Sequence, residues 1–460
     1  MTNKKLRQQG DDLRSCGTSY QELLDTEEVD VPDSLRANSL EYMGSSNLSV
    51  DRYISREFHE LEKEKVWPKV WQMVCREEDI PNVGDHIVYD ITDYSFIIVR
   101  SAENEIKSFY NSCLHRGRTL CDKDGAAEYF RCPYHAFTWG LDGTPKFIPS
   151  RWDFGHFTEG NANLDQTKVD TWGGFVFINM DDNSMSLAEY LNILPEHFER
   201  WPVENYYKGA HVKRIVRSNW KVAQEAFQES FHVIATHPQI MTFTADENSQ
   251  YDAFGDHINR TITASAVMSP HIKSPLSEGE IIAELLTLGG RNKDATDLFA
   301  LPEGMTARKF MADLTRKNVA MITGQDQSHY TDSECIDSIL YNVFPNFAPW
   351  AGLNRNVVYR FRPNGDDHTS CIMEAMLLMR YDESGPRPPA CEVNELEEHE
   401  PFVSAEELGG LGAVFDQDMA NIPFIIKGMK AGKRREVVLG NYQEGRIRHI
   451  HQTLDKYINA

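Results

Sequence analysis

Three thiols and two imidazoles crowd one turn-rich stretch, CLHRGRTLCDKDGAAEYFRCPYHA, at residues 113–136, and four of the five stand in a paired pattern. They fall as two pairs, Cys113 with His115 and Cys132 with His135, with 16 residues between the pairs. A fold that carries this stretch has to bring two loops face to face, because each pair supplies only half of a four-ligand metal centre. The surrounding sequence supplies strands for that purpose. HIVYDI, SFIIVR and IKSFYN are short β-branched or aromatic runs split by turn residues, and WGLDGTPKFI (139–148) adds a hairpin-like Asp-Gly turn. Residues from about 60 to 165 therefore read as a compact, mostly β unit.

Metal is the use that composition leaves for these side chains. The chain has eight Cys in 460 residues, and its start, MTNKKLRQQGDD, lacks the apolar stretch of a secretory signal. Reduced thiols in the cytoplasm are expected rather than a disulfide framework. The net charge of −23 argues against nucleic-acid binding and against docking on an anionic membrane surface. No run of 18 apolar residues offers a membrane span. At this length two or three domains with their own cores are expected.

Two sulfur and two nitrogen ligands suit either a structural zinc or an iron–sulfur cluster. Zinc loops usually separate their ligands into Cys knuckles and His helices. Here each pair is mixed, as two matching loops clamping a two-iron cluster would require, with both Cys on one iron and both His on the other. Cys121, between the pairs, reads as an ordinary thiol. C-x-H-R-G and C-P-Y-H-x-F-x-W-x-x-D-G resemble the cluster boxes of the Rieske non-heme iron oxygenases, in their large catalytic α subunit. Ala136 stands where that family usually has Gly after the second His.

Beyond the cluster stretch the pattern turns to α+β. SREFHELEKEKVWPKVW (55–71) reads as a helix stopped near Pro68, GGFVFINM (173–180) as a strand, and LAEYLNILPEHFERW (187–201) as a helix. DVPDSL and MGSSNLS near the start read as loops. VVYRFRPNGDDHTSCIMEAMLLMRY (357–381) is a pair of strands about a turn. Residues 404–432 open on a capping-box pattern, Ser404 to Glu407, and are expected to be mainly helical. The segment from 240 to about 335 mixes short helical patterns with loops and is rich in Phe243, Phe254, Leu285, Leu286, Phe299 and Phe310.

SNWKVAQEAFQESFHVIATHP (218–238) resembles the same family's catalytic box, in which two His and a later Asp hold a mononuclear iron. On an ideal helix Glu225, Glu229 and His232 share one face, whereas His237 lies about 140° from His232. The two His converge if the helix ends or deforms between them, and Pro238 encourages that. The resemblance places the third ligand at Asp418 in VFDQDMANIPFIIKGM, with Asp416 as the alternative. A facial triad of this kind leaves open positions on Fe(II) for oxygen. Glu229 stands where most of the family has a bridging Asp, which implies a carboxylate joining the iron site to a cluster His of a neighbouring subunit. Glu225 and Asn219 match less specific positions.

The resemblance implies three units: a polar N-terminal segment (1–59), a Rieske 2Fe-2S β domain (60–168) and a helix-grip α+β catalytic domain (169–460). In the last, a curved antiparallel sheet wraps a long C-terminal helix. It also implies a homotrimer, with or without a small β subunit, whose clusters serve the mononuclear iron of the next subunit. No G-x-G-x-x-G follows a strand, and GGLGA (409–413) is a weak match in a helical context. Electrons from NAD(P)H are therefore expected through a separate reductase, with or without a ferredoxin. O2 and a small organic substrate complete the reaction. The apolar 240–335 segment favours a bulky apolar or aromatic substrate; demethylation, or hydroxylation of a steroid or quaternary amine, is the alternative. An electron-transfer protein without catalytic iron and a zinc-stabilised binding protein are the competing classes.

Overall fold

The computed structural model describes residues 17–158, 160–287, 301–353 and 356–460. Phe299 and the first 16 residues of the N-terminal segment lie outside the described residues.

Two small sheets carry the cluster loops. One is four-stranded, in the order Glu105–Tyr110, Tyr94–Ala102, Asp85–Ile91, Gly125–Ala126; the other joins Phe130–Arg131, Thr138–Trp139 and Pro145–Phe147. The strand Tyr94–Ala102 is buried on both faces. Ile97 and Val99 point into a core with Phe109, Phe130, Phe137 and Trp139, while Phe96 and Ile98 point into the main core of the molecule. The three β runs beside the cluster motif and the hairpin after it are all present as expected. A further antiparallel sheet, Lys168–Trp172, Phe175–Asn179 and Gln72–Arg76, adjoins them.

The rest of the chain is built on an eight-stranded sheet. Its neighbours run antiparallel apart from one parallel pair, Tyr207–Val216 with Asn394–Leu396. Val357–Asn364 and Asp367–Met379 pair antiparallel across the expected turn, where Gly365 has φ +54°. Gln250–Phe254 and Ile258–Thr263 are edge-side strands in a region whose sequence signalled short helices and loops. The long helix Gly410–Ala431 and the C-terminal helix Gly445–Asn459 pack with this sheet. This is the α+β, helix-grip arrangement.

Four expectations about local structure need correction. DVPDSL is not all loop, since Asp33–Arg36 is a helical turn behind Pro32. The helix of 187–201 is two short helices, Leu187–Leu191 and Leu194–Phe198, split by Asn192 at φ +49°. The capping box of Ser404 and Glu407 is not used: both lie in 3₁₀ turns, and the helix starts after Gly409, whose φ of +53° turns the chain. Finally, 218–238 is not one helix. Trp220–Glu225 and Val233–Thr236 are separated by seven non-helical residues, so Glu225, Glu229 and His232 do not line one continuous face.

The break has local causes. Glu229 turns its carboxylate onto the backbone N–H of His232 (3.0 Å), and the N–H of Ser230 is taken by the Tyr251 hydroxyl (3.1 Å). Polar side chains that satisfy these donors compete with the helical ladder. Upstream, Trp220 packs edge-on against Trp67 at 5.3 Å and Lys221 forms a buried ion pair with Glu62 on the helix Arg56–Lys65. The anchored helix delivers the chain to the break.

Candidate metal centres

The two cluster loops repeat one backbone pattern. Gly117 N–H donates to the Cys113 carbonyl (2.8 Å) and Ala136 N–H to the Cys132 carbonyl (3.0 Å). Cys113 N–H donates to Arg118 O and Cys132 N–H to Phe137 O, both at 2.8 Å. Each loop closes through a left-handed residue, Gly117 at φ +74° and Ala136 at φ +62°. That conformation costs a residue with a Cβ about 1–2 kcal/mol, which explains why Gly suits the position and marks Ala136 as strained.

The side chains divide as two and two. The Cys113 and Cys132 thiols are buried and adjoin, and burial, with the neighbouring sulfur, raises the Cys113 thiol above its ordinary pKa. The His115 and His135 rings lie 4.7 Å apart, centre to centre. His115 stacks on Phe137 at 4.8 Å, and burial lowers its pKa, favouring the neutral ring that binds metal. Both Nδ1 atoms are buried without a hydrogen-bond partner among the described residues. Such orphaned acceptors fit metal ligands.

A tetrahedral zinc with bonds of about 2.0–2.3 Å would draw its ligand atoms to within about 4 Å of one another. Among the described residues, the His, Cys and carboxylate group gathered within 4.8 Å is a different one: His232, His237 and Asp418. The division of the quartet into two adjoining thiols and two adjoining imidazoles suits a centre with two metal positions.

That second group takes its members from two places. His237 Nε2 lies 2.8 Å and His232 Nε2 3.4 Å from Asp418 Oδ1, with the two rings 5.1 Å apart. The His come from the broken stretch and Asp418 from the long helix. Asp416 faces elsewhere, accepting the N–H groups of Phe402 (2.8 Å) and Val403 (3.1 Å). Glu229 Oε1 accepts from His232 Nδ1 (2.8 Å), which turns the other ring nitrogen towards Asp418. Burial opposes charge on His232, yet Asp418 and Glu229 together hold its pKa up to about 10. Two carboxylates around two imidazoles make a place for a cation.

Three contributors carried no sequence signal. Gln417 Oε1 accepts from His237 Nδ1 and from Gln239 Nε2, both at 2.7 Å, and so fixes the tautomer of His237. Arg446 and His451, on the C-terminal helix, reach the break from more than 200 residues away in sequence. Glu225 contributes nothing to the trio; it accepts from His451 Nε2 (2.8 Å) and from the Tyr53 hydroxyl (3.1 Å). Asn219 caps the first helix through Lys221 N–H (3.1 Å).

A cavity of about 170 Å³ opens beside the trio, and His232, His237 and Asp418 line it. Phe227, Phe243, Trp350, Tyr359 and Phe415 form much of its wall, with Ser and Thr hydroxyls at intervals. Of the apolar side chains singled out in 240–335, Phe243 reaches this wall.

A sulfur-and-imidazole centre in one unit and a two-His, one-carboxylate centre at a cavity in another define a class of two-centre metalloproteins. The description "Ring hydroxylating alpha subunit (catalytic domain)" matches residues 196–460, and "Rieske [2Fe-2S] domain" matches residues 70–157. The chain belongs to the ring-hydroxylating alpha-subunit family and carries a Rieske [2Fe-2S] domain. A Rieske cluster and a mononuclear iron are the cofactors of this domain pair.

Relatives include the carnitine monooxygenase oxygenase subunit of Acinetobacter pittii, 31% identical over 192 residues, covering 40% of this chain and 51% of that protein. The glycine betaine monooxygenase oxygenase subunit of Chromohalobacter salexigens is 27% identical over 230 residues, covering 48% and 51%. The α subunit of 2-aminobenzenesulfonate 2,3-dioxygenase from an Alcaligenes species is 26% identical over 216 residues, covering 42% and 52%. The chain thus spans about half the length of the curated relatives it matches. Among solved structures, the apo form of a quaternary ammonium Rieske monooxygenase superposes with a TM-score of 0.62 at 16% identity, covering 93% of this chain and 99% of that one. Naphthalene 1,2-dioxygenase with indole in its active site gives 0.62 at 15% identity, covering 92% and 94%. These superpositions show a shared fold.

Proposed function

We propose that this chain is the terminal oxygenase component of a Rieske system. The observation that carries the proposal is the His232, His237 and Asp418 trio on the wall of an aromatic cavity. Cys113, Cys132, His115 and His135 would hold the 2Fe-2S cluster; the trio would hold the mononuclear iron. When bound, the cluster supplies electrons and the iron activates O2 for insertion into the substrate.

The chain's own residues set up that chemistry. Glu229 accepts the His232 Nδ1 proton and Gln417 the His237 Nδ1 proton, so each ring offers Nε2 inward. The aromatic wall seats the substrate and excludes water from the reacting position.

Amines bearing N-methyl groups are the substrate class we favour. Carnitine and glycine betaine monooxygenase subunits are among the relatives, an aromatic wall binds alkylammonium groups through its ring faces, and Glu229 and Asp418 add negative charge. The aromatic substrate favoured by the sequence reading becomes the second reading, supported by the aminobenzenesulfonate relative and the apolar wall.

Exposed apolar side chains on both units are compatible with assembly. Trp152 (85% exposed), Tyr134 and Phe147 stand out on the cluster unit, and Phe231, Ile234 and Phe424 stand out on the catalytic unit. A head-to-tail homotrimer would cover such surfaces and bring Glu229 towards the partner subunit's His135. One solved relative is described in terms of inter-subunit electron transfer. We propose residues 60–168 and 169–460 as the two functional units, a separate reductase as electron donor, and the cytoplasm as the compartment. The seven described cysteines are free, and no described helix is long and apolar enough to cross a membrane.

A single-turnover assay tests the function. Protein with a chemically reduced cluster is mixed with O2 and either choline, γ-butyrobetaine or naphthalene, following loss of the reduced-cluster absorption and formation of product. Faster oxidation and an oxidised product with a methylammonium compound are expected. Turnover with naphthalene alone would move the substrate to the second reading, and no cluster absorption at all would end the oxygenase reading.

A further inference from the structure

The stretch that carries Glu229 and His232 is not helical, so its backbone is satisfied by isolated turns and by side chains rather than by a continuous helical ladder. The C-terminal helix supplies part of what holds it. Arg446 Nη1 donates to the Gln228 carbonyl (3.3 Å), one residue before Glu229, and to Thr261 Oγ1 (2.6 Å). Thr261 lines the cavity and also donates to the same carbonyl (3.4 Å). Arg446 Nε is fixed by Asn259 Oδ1 at 2.7 Å.

Arg446 is an expensive way to make these bonds. It is 0% exposed, and among the described residues no carboxylate lies within ion-pair distance of it. Asp252, an acid whose field reaches it, is already bound by Arg260 at 2.7 Å. Among the described residues Arg446 Nη2 has no partner, nor has the Oε1 atom of the fully buried Gln228 beside it. A buried cation held by neutral groups, with one donor unsatisfied, costs stability relative to an apolar side chain of similar size. Stability alone does not account for it.

One turn later on the same helix, His451 holds the other end of the break. Its Nε2 bonds Glu225 Oε1 (2.8 Å), the last residue of the helix before the break, while Arg52 approaches Nδ1 (3.4 Å). A guanidinium donor at Nδ1 leaves the Nε2 proton directed at Glu225. Arg52 is itself fixed by Asp455 at 2.5 Å, and Tyr53 bonds both Glu225 and His451. The N-terminal helical turn Asp51–Ile54 and the C-terminal helix thus grip the segment together.

We propose that Arg446 and His451 are positioning residues for the mononuclear iron site: they clamp the two ends of the Glu225–Glu229 segment so that Glu229 and His232 face Asp418. The proposal rests on the oxygenase reading of that site.

The test uses Fe(II) alone as probe, added anaerobically to full-length protein that keeps its cluster but has been depleted of mononuclear iron. Fe(II) affinity is measured together with amide hydrogen exchange in residues 226–237. Arg446→Met should weaken Fe(II) binding about tenfold and raise exchange in 226–237 selectively, since partners that orient metal ligands are worth about 10–100-fold in affinity. Arg446→Lys, which keeps a donor and the charge, should recover most of the loss. His451→Leu should weaken binding a few-fold, and His451→Gln, which still offers Glu225 an N–H, should match the unmodified protein. Unchanged Fe(II) affinity and unchanged exchange in Arg446→Met and His451→Leu would overturn the proposal. If Arg446→Met fails to fold, the His451 pair decides it: equal affinity in Leu and Gln variants overturns it. Should Asp418→Ala bind Fe(II) as tightly as the unmodified protein, the site assignment itself is wrong, which is a distinct result.

Discussion

The two centres are built in opposite ways. The cluster quartet comes from one stretch, residues 113–135, as two copies of a loop with the same backbone hydrogen bonds. The iron trio draws on residues 232, 237 and 418, and depends on Gln417, Arg446 and His451 for its geometry. A local centre shows its candidate ligands in their spacing. An assembled one depends on tertiary packing to bring its members together.

Removing a ligand gives the largest contrast. Cys132→Ser should cost the cluster, with its sulfide and two irons, and leave Fe(II) binding at the trio intact. Asp418→Ala should do the reverse and reduce product formation about a thousandfold or more, because two His alone do not make the facial triad. Loss of both centres in either variant would break the comparison, since it would show that the units do not fold around their metals separately.

Glu229→Gln comes next. It keeps an acceptor for His232 Nδ1 but removes the charge. Iron and sulfide contents should stay at the level of the unmodified protein, while oxidation of the reduced cluster during turnover slows by about 100-fold, the scale of a misplaced catalytic contact. A rate equal to that of the unmodified protein would remove Glu229 from the path between centres. Gln417→Leu should have a smaller effect, about tenfold on Fe(II) affinity, measured by anaerobic titration.

Smallest is the asymmetry between the two cluster loops. Ala136→Gly should relieve a left-handed Ala and stabilise the protein by about 0.5–1 kcal/mol, while Gly117→Ala should destabilise it by about 1 kcal/mol. Both are read from denaturant midpoints that follow the visible cluster band. Equal and negligible effects would mean that the loops are not equivalent.

Much of this was legible in the sequence where interactions are local. Cys113, His115, Cys132 and His135 stood out by spacing, and the structure sets the two thiols side by side and the two imidazoles side by side, while the strands around them followed from their β-branched and aromatic runs. His232 and His237 were marked by a motif, although the helix that would have carried them is broken by Glu229 and Tyr251, a competition that periodicity cannot register. Spacing left Asp418 and Asp416 open, whereas packing sets Asp418 beside the two His and ties Asp416 to the 402–403 backbone. Nothing in the sequence around Arg446 or His451 points to a site more than 200 residues away; only the packing of the last helix shows it.

The central claim is most directly tested by counting iron, zinc and acid-labile sulfide per chain in anaerobically purified protein, beside Asp418→Ala and Asp416→Ala. About three irons and two sulfides are expected in the unmodified protein and in Asp416→Ala, falling to about two irons with sulfide unchanged in Asp418→Ala. Zinc without sulfide, or three irons retained in Asp418→Ala, would contradict the account.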